Sequence, residues 1–236
     1  MFERAVHPEA LEVLKRLDKL NDFKNLQFYL AGGTGLALQL GHRLSEDLDF
    51  FTNQKFDTES MIHKIANIMS VKVTYISEDT VHLLCNSTKV SLFYYPYNLV
   101  FPLLTFEGCF VADYRDIAAM KLIALGQRGA KKDFVDLYFY FLKNPDLNSI
   151  KKVIEKKYAN INYNWLHLLR SMGYFEDAER DSMPVLITGQ GYKTMTAKEW
   201  ENVKSSFVQL QNTGILELQK ENLSTKTSKK THYKKL

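Results

Sequence analysis

The sequence predicts an α/β (α+β) fold, in which a mixed sheet with flanking helices over residues 1–112 gives way to a helical region over 113–223. Two patterns predict it. Before residue 112, short runs rich in valine, isoleucine and aromatic residues alternate with helical stretches. From Asp113 onward, apolar residues recur at helical spacing. A third observation closes the chain: residues 224–236 hold five lysines, no acid and almost nothing to bury, which predicts a disordered basic tail.

Each element has its own signal. His7 to Leu20 carries Leu11, Leu14, Leu17 and Leu20 at helical spacing with Pro8 in the first turn, where a missing N–H costs nothing. Leu26 to Leu30 reads as a short strand, Thr34 to Leu40 as a helix, and Asp47 to Phe51 as a second strand. Asp57 to Met69 repeats the helical pattern through Met61, Ile62, Ile65 and Ile68. Strands follow at 71–76, 81–85 and 90–95, then from 105–106 through 110–111, giving a sheet of five or six strands. Helices are expected at 114–127, 131–142, 147–158, 162–172 and 197–211, the last opened by Thr196 and Glu199 at capping-box spacing.

The chemistry lies at one strand-to-helix turn. Ala31-Gly32-Gly33-Thr34-Gly35 follows the first strand, so backbone N–H groups at a helix N-terminus are open to phosphate oxygens and the glycines let the backbone come close. Asp47 and Asp49 are two apart on the next strand, so both carboxylates share one face while Leu48 and Phe50 take the other. Such a pair supplies the protein half of a Mg²⁺ site, the remainder coming from water and substrate phosphates. A Gly-Gly-Thr turn alone is ordinary, and so is Asp-x-Asp. Their order around one predicted helix is what points to nucleotide chemistry.

This combination resembles the nucleotidyltransferase fold of the DNA polymerase β superfamily. The block Leu30 to Phe51, with its Gly41-His42-Arg43-Leu44-Ser45 connector, resembles the opening motif of the AbiEii/AbiGii toxin family. A second block agrees: Asp116-Ile-Ala-Ala-Met-Lys121, then Gln127-Arg128-Gly129, then Lys132-Asp133-Phe-Val-Asp136-Leu-Tyr138. The resemblance implies nucleotide transfer from an NTP to an acceptor hydroxyl, with Mg²⁺ at Asp47 and Asp49. It also implies an RNA acceptor, particularly a tRNA end, and a role as the toxin of a bacterial toxin–antitoxin or phage-defence pair with a cognate antitoxin. Two other readings stand beside it: a catalytically reduced module that binds nucleotide or RNA, and a small-molecule adenylyltransferase.

For the nucleotide, Gly32, Gly33 and Thr34 are candidates by their place at the turn, and the resemblance implies that Lys121 contacts the triphosphate. Arg128 shares the Lys121 helix face two turns on, and Arg43 beside the carboxylate loop is a weaker candidate for phosphate or partner contact, surface arginines being common. The resemblance implies catalysis by Asp47, Asp49, Lys121, Asp133 and Asp136. By spacing alone, Lys121 reads as the solvent side of an amphipathic helix. Asp133 and Asp136 share a helix face at i, i+3, where either could orient Lys121 or act as a base. The third acid of many polymerase β-like enzymes is missing from its natural place, where Ser91 stands, and Glu107 on the following strand is a substitute to test.

Composition sets the bounds. With 236 residues and 45% hydrophobic content the chain can bury a core. No run approaches the ~18 apolar residues of a membrane span, and Met1 to Pro8 lacks the apolar run of a secretion signal, so a cytoplasmic enzyme with no membrane partner is expected. Cys85 and Cys109, the two cysteines, are expected as buried thiols, with no zinc-ligand spacing around either. The net charge of +4 falls by five to −1 without the tail. The tail's lysines can attract RNA phosphates, although a merely solvated terminus fits them as well.

Overall fold

The computed structural model describes residues 1–161 and 163–233, with side chains described through residue 221. Helix α1 (Pro8–Leu17) and the short α2 (Asn21–Asn25) lead into β1 (Tyr29–Leu30), α3 (Gly32–Leu40), β2 (Leu48–Thr52) and α4 (Thr58–Ala66). Next come β3 (Val71–Ile76), β4 (Thr80–Cys85), β5 (Thr88–Tyr94), β6 (Leu104–Phe106) and β7 (Cys109–Val111). Helices α5 (Tyr114–Leu125), α6 (Lys131–Lys143), α7 (Leu147–Lys157), α8 (Trp165–Ser171) and α9 (Glu176–Glu179) follow. The hairpin β8 (Val185–Thr188) and β9 (Gly191–Thr194) precedes the last helix, α10 (Ala197–Tyr233).

Seven strands form one mixed sheet in the order β3-β4-β5-β2-β1-β7-β6. Strands β2 and β5 run parallel, as do β1 and β7, and the other pairs are antiparallel. The expected α/β (α+β) class holds. Strand β1 is shorter than the run 26–30 because α2 ends in a turn at Leu26 and Gln27 takes φ +49°, outside strand conformations. Apolar stripes on α1 (Leu11, Leu14, Leu17) and α4 (Met61, Ile65) bury against Phe50, Val81, Leu83, Val90 and Leu92 on one sheet face. Each fully buried large aliphatic side chain of this kind contributes about 1.5–3 kcal/mol. Cys85 and Cys109 are buried free thiols, and burial pushes each up to about 12.

Beyond β7, α5 and α6 pack with α7, α8 and α10 around Phe134, Leu137, Tyr140, Leu169, Trp200 and Phe207. The capping box of α10 forms: Thr196 N–H donates to Glu199 Oε2 at 2.9 Å and Glu199 N–H donates back to Thr196 Oγ1 at 3.3 Å. The hairpin β8–β9 corrects the purely helical reading of 113–223. Val185-Leu186-Ile187 makes a strand because Gly189 and Gly191 allow a tight return. Helix α8 begins at Trp165, capped by the Asn164 side chain, and the expected start at 162 lies outside the described residues. The side chains of the expected tail, 224–236, also lie outside the described residues. Among the described residues, no helix is long and apolar enough to cross a membrane.

Candidate active site

The glycine turn sits directly against the carboxylate strand. Gly32 has φ +57°, a conformation that disfavours any side chain, and a Cβ there would collide with the carboxylate of Asp49. A Cβ on Gly33 would meet the guanidinium of Arg43 and lie 3.3 Å from Ser45 Oγ. The first helical hydrogen bond runs from Gly35 N–H to Ala31 C=O at 2.8 Å. The N–H groups of Gly32, Gly33 and Thr34 therefore precede the ladder and have no helical acceptor. The Thr34 side chain faces inward: its hydroxyl donates to the Asp47 carbonyl and lies 2.8 Å from the Ser45 hydroxyl. Thr34 thus ties the helix start to Asp47, which directly precedes β2 and so lies outside the strand expected from residue 47, and leaves its backbone N–H for a ligand.

Asp47 and Asp49 are both half-buried. Burial, and secondarily the neighbouring Asp47, hold the Asp49 carboxyl above the usual carboxylate range, against the opposing effects of a Ser91 hydrogen bond and the Lys121 and Arg128 charges. Two oxygen-donor side chains that repel one another suit a hard divalent cation, whose charge would offset both the repulsion and the burial. Asp47 and Asp49 are the residues that could hold such a cation.

Behind the turn lies a buried ionic network centred on Asp136. One carboxylate oxygen accepts from His42 Nε2 and from Arg43 Nε, each at 2.6 Å. The other accepts from Arg43 Nη2 at 3.0 Å and from Lys121 Nζ at 2.7 Å. Lys121 also donates to Asp133 Oδ1 at 2.7 Å. Burial would raise the Asp136 carboxyl, but Arg43, Lys121 and His42 together hold it well below the usual range. Burial would likewise lower Lys121, and the facing carboxylates Asp133 and Asp136 raise it instead. His42 is driven down chiefly by burial, so it is neutral, with Nε2–H donating to Asp136. Its Nδ1 has no partner among the described residues.

Elements distant in sequence build this arrangement. The connector His42–Ser45 joins the N-terminal segment through His7 N–H to Ser45 C=O (2.9 Å) and Ser45 N–H to Ala5 C=O (2.8 Å). On its other side Leu44 N–H donates to Val185 C=O (2.8 Å) and Ile187 N–H to His42 C=O (3.0 Å). The unexpected hairpin is thus the clamp on the motif. A second buried pair, Asp116 with Lys157 at 3.0 Å, fixes the loop after β5, since Asp116 also accepts from the N–H groups of Val100 and Phe101.

The structure sorts the residues singled out by sequence. Gly32, Gly33, Asp47 and Asp49 meet at the turn, and Arg43, Lys121, Asp133 and Asp136 meet behind it. Lys121 is 7% exposed and turned inward, which removes the solvent-face reading. Arg43 is buried in a fork against Asp136 and is no surface arginine. Arg128 follows the end of α5, with a side chain 77% exposed and Nε 3.9 Å from Asp133 Oδ2. Asp133 Oδ2 has no hydrogen-bond partner among the described residues, whereas both oxygens of Asp136 are engaged. Glu107 sits in the β6–β7 turn near Lys15 (3.8 Å), away from the carboxylates, because the turn points it outward. Ser91 does pair with Asp49 in the β2–β5 register, and its hydroxyl meets His82 Nδ1 at 3.0 Å. His42 and His82 escaped the sequence reading. The Gly-His-Arg connector was the available signal for the first, and strand phase opposite Ser91 for the second.

The chain matches the family described as nucleotidyl transferase AbiEii toxin, type IV TA system, over residues 14–84 and 96–222. It is 42% identical over 182 residues to the uncharacterized protein aq_aa25 of Aquifex aeolicus (strain VF5), covering 73% of this chain and 83% of that protein. In fold it is similar to MenT4, a nucleotidyltransferase toxin of Mycobacterium tuberculosis H37Rv, with TM-score 0.53, 16% identity, and 86% and 85% of the two chains covered. It is also similar to JHP933 from Helicobacter pylori, with TM-score 0.50, 17% identity, and 94% and 99% covered. With the glycine turn, the aspartate pair and the Lys121 block all inside the matched span, the chain belongs to the AbiEii nucleotidyl transferase toxin family of type IV toxin–antitoxin systems.

Proposed function

We propose that this protein transfers a nucleotidyl group from a nucleoside triphosphate to a hydroxyl of an RNA acceptor. The acceptor oxygen attacks the α-phosphorus, the bond from that phosphorus to the bridging oxygen breaks, and pyrophosphate leaves. The observation that carries this reading is the Asp49 carboxylate packed against Gly32, which sets carboxylates and free helix N–H groups side by side. Asp47 and Asp49 would hold Mg²⁺, which when bound polarises phosphoryl oxygens and offsets their charge. The N–H groups of Gly32, Gly33 and Thr34 receive phosphate oxygens. Arg128, the exposed cation near Asp133, contacts the triphosphate, while Lys121 adds charge from behind. Asp136 and Arg43 are positioning residues. Asp133, with one oxygen free of hydrogen bonds, is the better placed of the two helix carboxylates to accept a proton.

The further attributions follow the family: a tRNA end as acceptor, phage defence, a cognate antitoxin and a cytoplasmic site of action. A second reading, a module that binds nucleotide without turnover, draws on Ser91 standing opposite Asp49 in place of an acid. Incubating the purified protein with each labelled triphosphate, total RNA and Mg²⁺ decides between them. Label on RNA supports transfer; triphosphate binding with no labelled product supports the reduced module; label on a small molecule supports an adenylyltransferase of that class.

A further inference from the structure

The sheet face that carries Asp49 continues outward over β5, β4 and β3, away from the face covered by α1 and α4. Along one register row the residues are Asp49, Ser91, His82 and Tyr75. The next row sets Phe51 beside Phe93. Their rings form a continuous ladder. Phe51 stacks on Phe93 with centroids 4.8 Å apart and planes within 20°, Phe93 meets His82 at 5.6 Å, and His82 meets Tyr75 at 5.4 Å. Exposure rises along it to Tyr75, which is 54% exposed.

Over β3, β4 and β5, beyond Asp49, the charged side chains on this face are lysines. Lys72 and Lys89 both pair with Leu84, one from each side, so they project on the same face, and both are exposed. Strands β3, β4 and β5 contain no aspartate or glutamate. Aromatic rings interleaved with lysines are what a single-stranded nucleic acid requires, since bases stack on the rings while phosphates meet the ammonium groups.

We propose that this face is the acceptor platform: the unpaired end of an RNA strand stacks across Tyr75, His82 and Phe93, and its terminal hydroxyl is delivered to the Asp49 end of the row. This rests on the transferase reading above. Three strand spacings separate Tyr75 from Asp49, roughly 14 Å, which a few nucleotides span. A duplex end keeps its bases stacked on each other and gains nothing from the rings.

The test compares wild type with Tyr75→Ala, Tyr75→Trp and the Lys72→Glu/Lys89→Glu double variant, all at exposed positions outside the core. Binding of a fluorescein-labelled single-stranded RNA and of its blunt duplex is followed by anisotropy. Affinity for each of the four triphosphates is measured by calorimetry. Tyr75→Ala is expected to weaken single-strand binding about tenfold, Tyr75→Trp to retain it, and the double lysine variant to weaken it with a shallower salt dependence. Triphosphate affinity stays unchanged, and in the transfer assay KM for RNA rises while KM for the triphosphate does not. Equal single-strand affinity of wild type and Tyr75→Ala, with RNA still labelled, overturns the platform alone. A wild-type protein that neither binds nor labels RNA overturns the platform and the RNA-acceptor reading together.

Discussion

Removing the Asp136 charge is the sharpest perturbation of the site's foundation. In Asp136→Asn the side-chain shape is kept, but Arg43, 2% exposed, loses the carboxylate that accepts from both Nε and Nη2. Lys121 is less affected, because Asp133 still faces it at 2.7 Å. One buried cation is therefore left without compensation, and breaking a buried pair in this way costs about 3–5 kcal/mol. In a chain of this size each kcal/mol moves the melting temperature by about 2–4 °C, so a fall of about 6–20 °C is expected. Thermal melts followed by circular dichroism at pH 7 read it. The pH dependence has a definite sign. Asp136 is held below its unfolded value, so its contribution is complete above the ordinary carboxylate pKa of about 3.9 and is lost as pH falls through the lower, folded value. The gap between wild type and variant is full from pH 5 to 7 and closes in acid. An Arg43→Met/Asp136→Leu double variant recovers much of the loss, since it removes the stranded charge. A single variant melting within about 2 °C of wild type at pH 7 would refute the account of Asp136 as the hub.

Three further outcomes follow from the same geometry. Asp49→Asn abolishes transfer yet melts no earlier than wild type without metal, because Asp49 is held above its unfolded pKa and its ionisation costs stability at neutral pH; Mg²⁺ raises the melting temperature of wild type only, and an equal rise in the variant removes the metal assignment. Gly32→Ala, at φ +57° and facing the Asp49 carboxylate, loses about 1–2 kcal/mol by backbone strain and more of its activity than its stability; an unchanged rate in the labelled-triphosphate assay contradicts the close-approach argument. Lys157→Met leaves the Asp116 carboxylate buried without its cation and costs about 3–5 kcal/mol, read as the midpoint of urea unfolding; no shift there means that the N–H groups of Val100 and Phe101 suffice.

The turn at Gly32, the paired aspartates and the sheet-to-helix change near residue 112 were legible in sequence because each depends on neighbours within a few residues. What escaped was non-local. Nothing in the spacing of His42 and Arg43 points to Asp136, 94 and 93 residues away respectively, and the burial of Arg43 follows only from that pairing. Lys121 in an apolar helix was ambiguous for the same reason, as two carboxylates from α6 decide which way it faces. The β8–β9 hairpin carried a local signal, the Gly189-Gln-Gly191 return after the apolar run Val185-Leu186-Ile187. Four residues of strand are brief enough to vanish among helices.

The backbone of the His42–Ser45 connector is held between residues 5–7 on one side and 185–187 on the other. The motif is therefore completed by residues far along the chain. A nascent chain halted before residue 185 already contains both aspartates, the glycines and Asp136, yet it lacks the strand that receives the connector. In such a chain Leu44 N–H lacks the Val185 carbonyl and the His42 carbonyl lacks the Ile187 N–H, so the connector keeps only its N-terminal partners at residues 5–7.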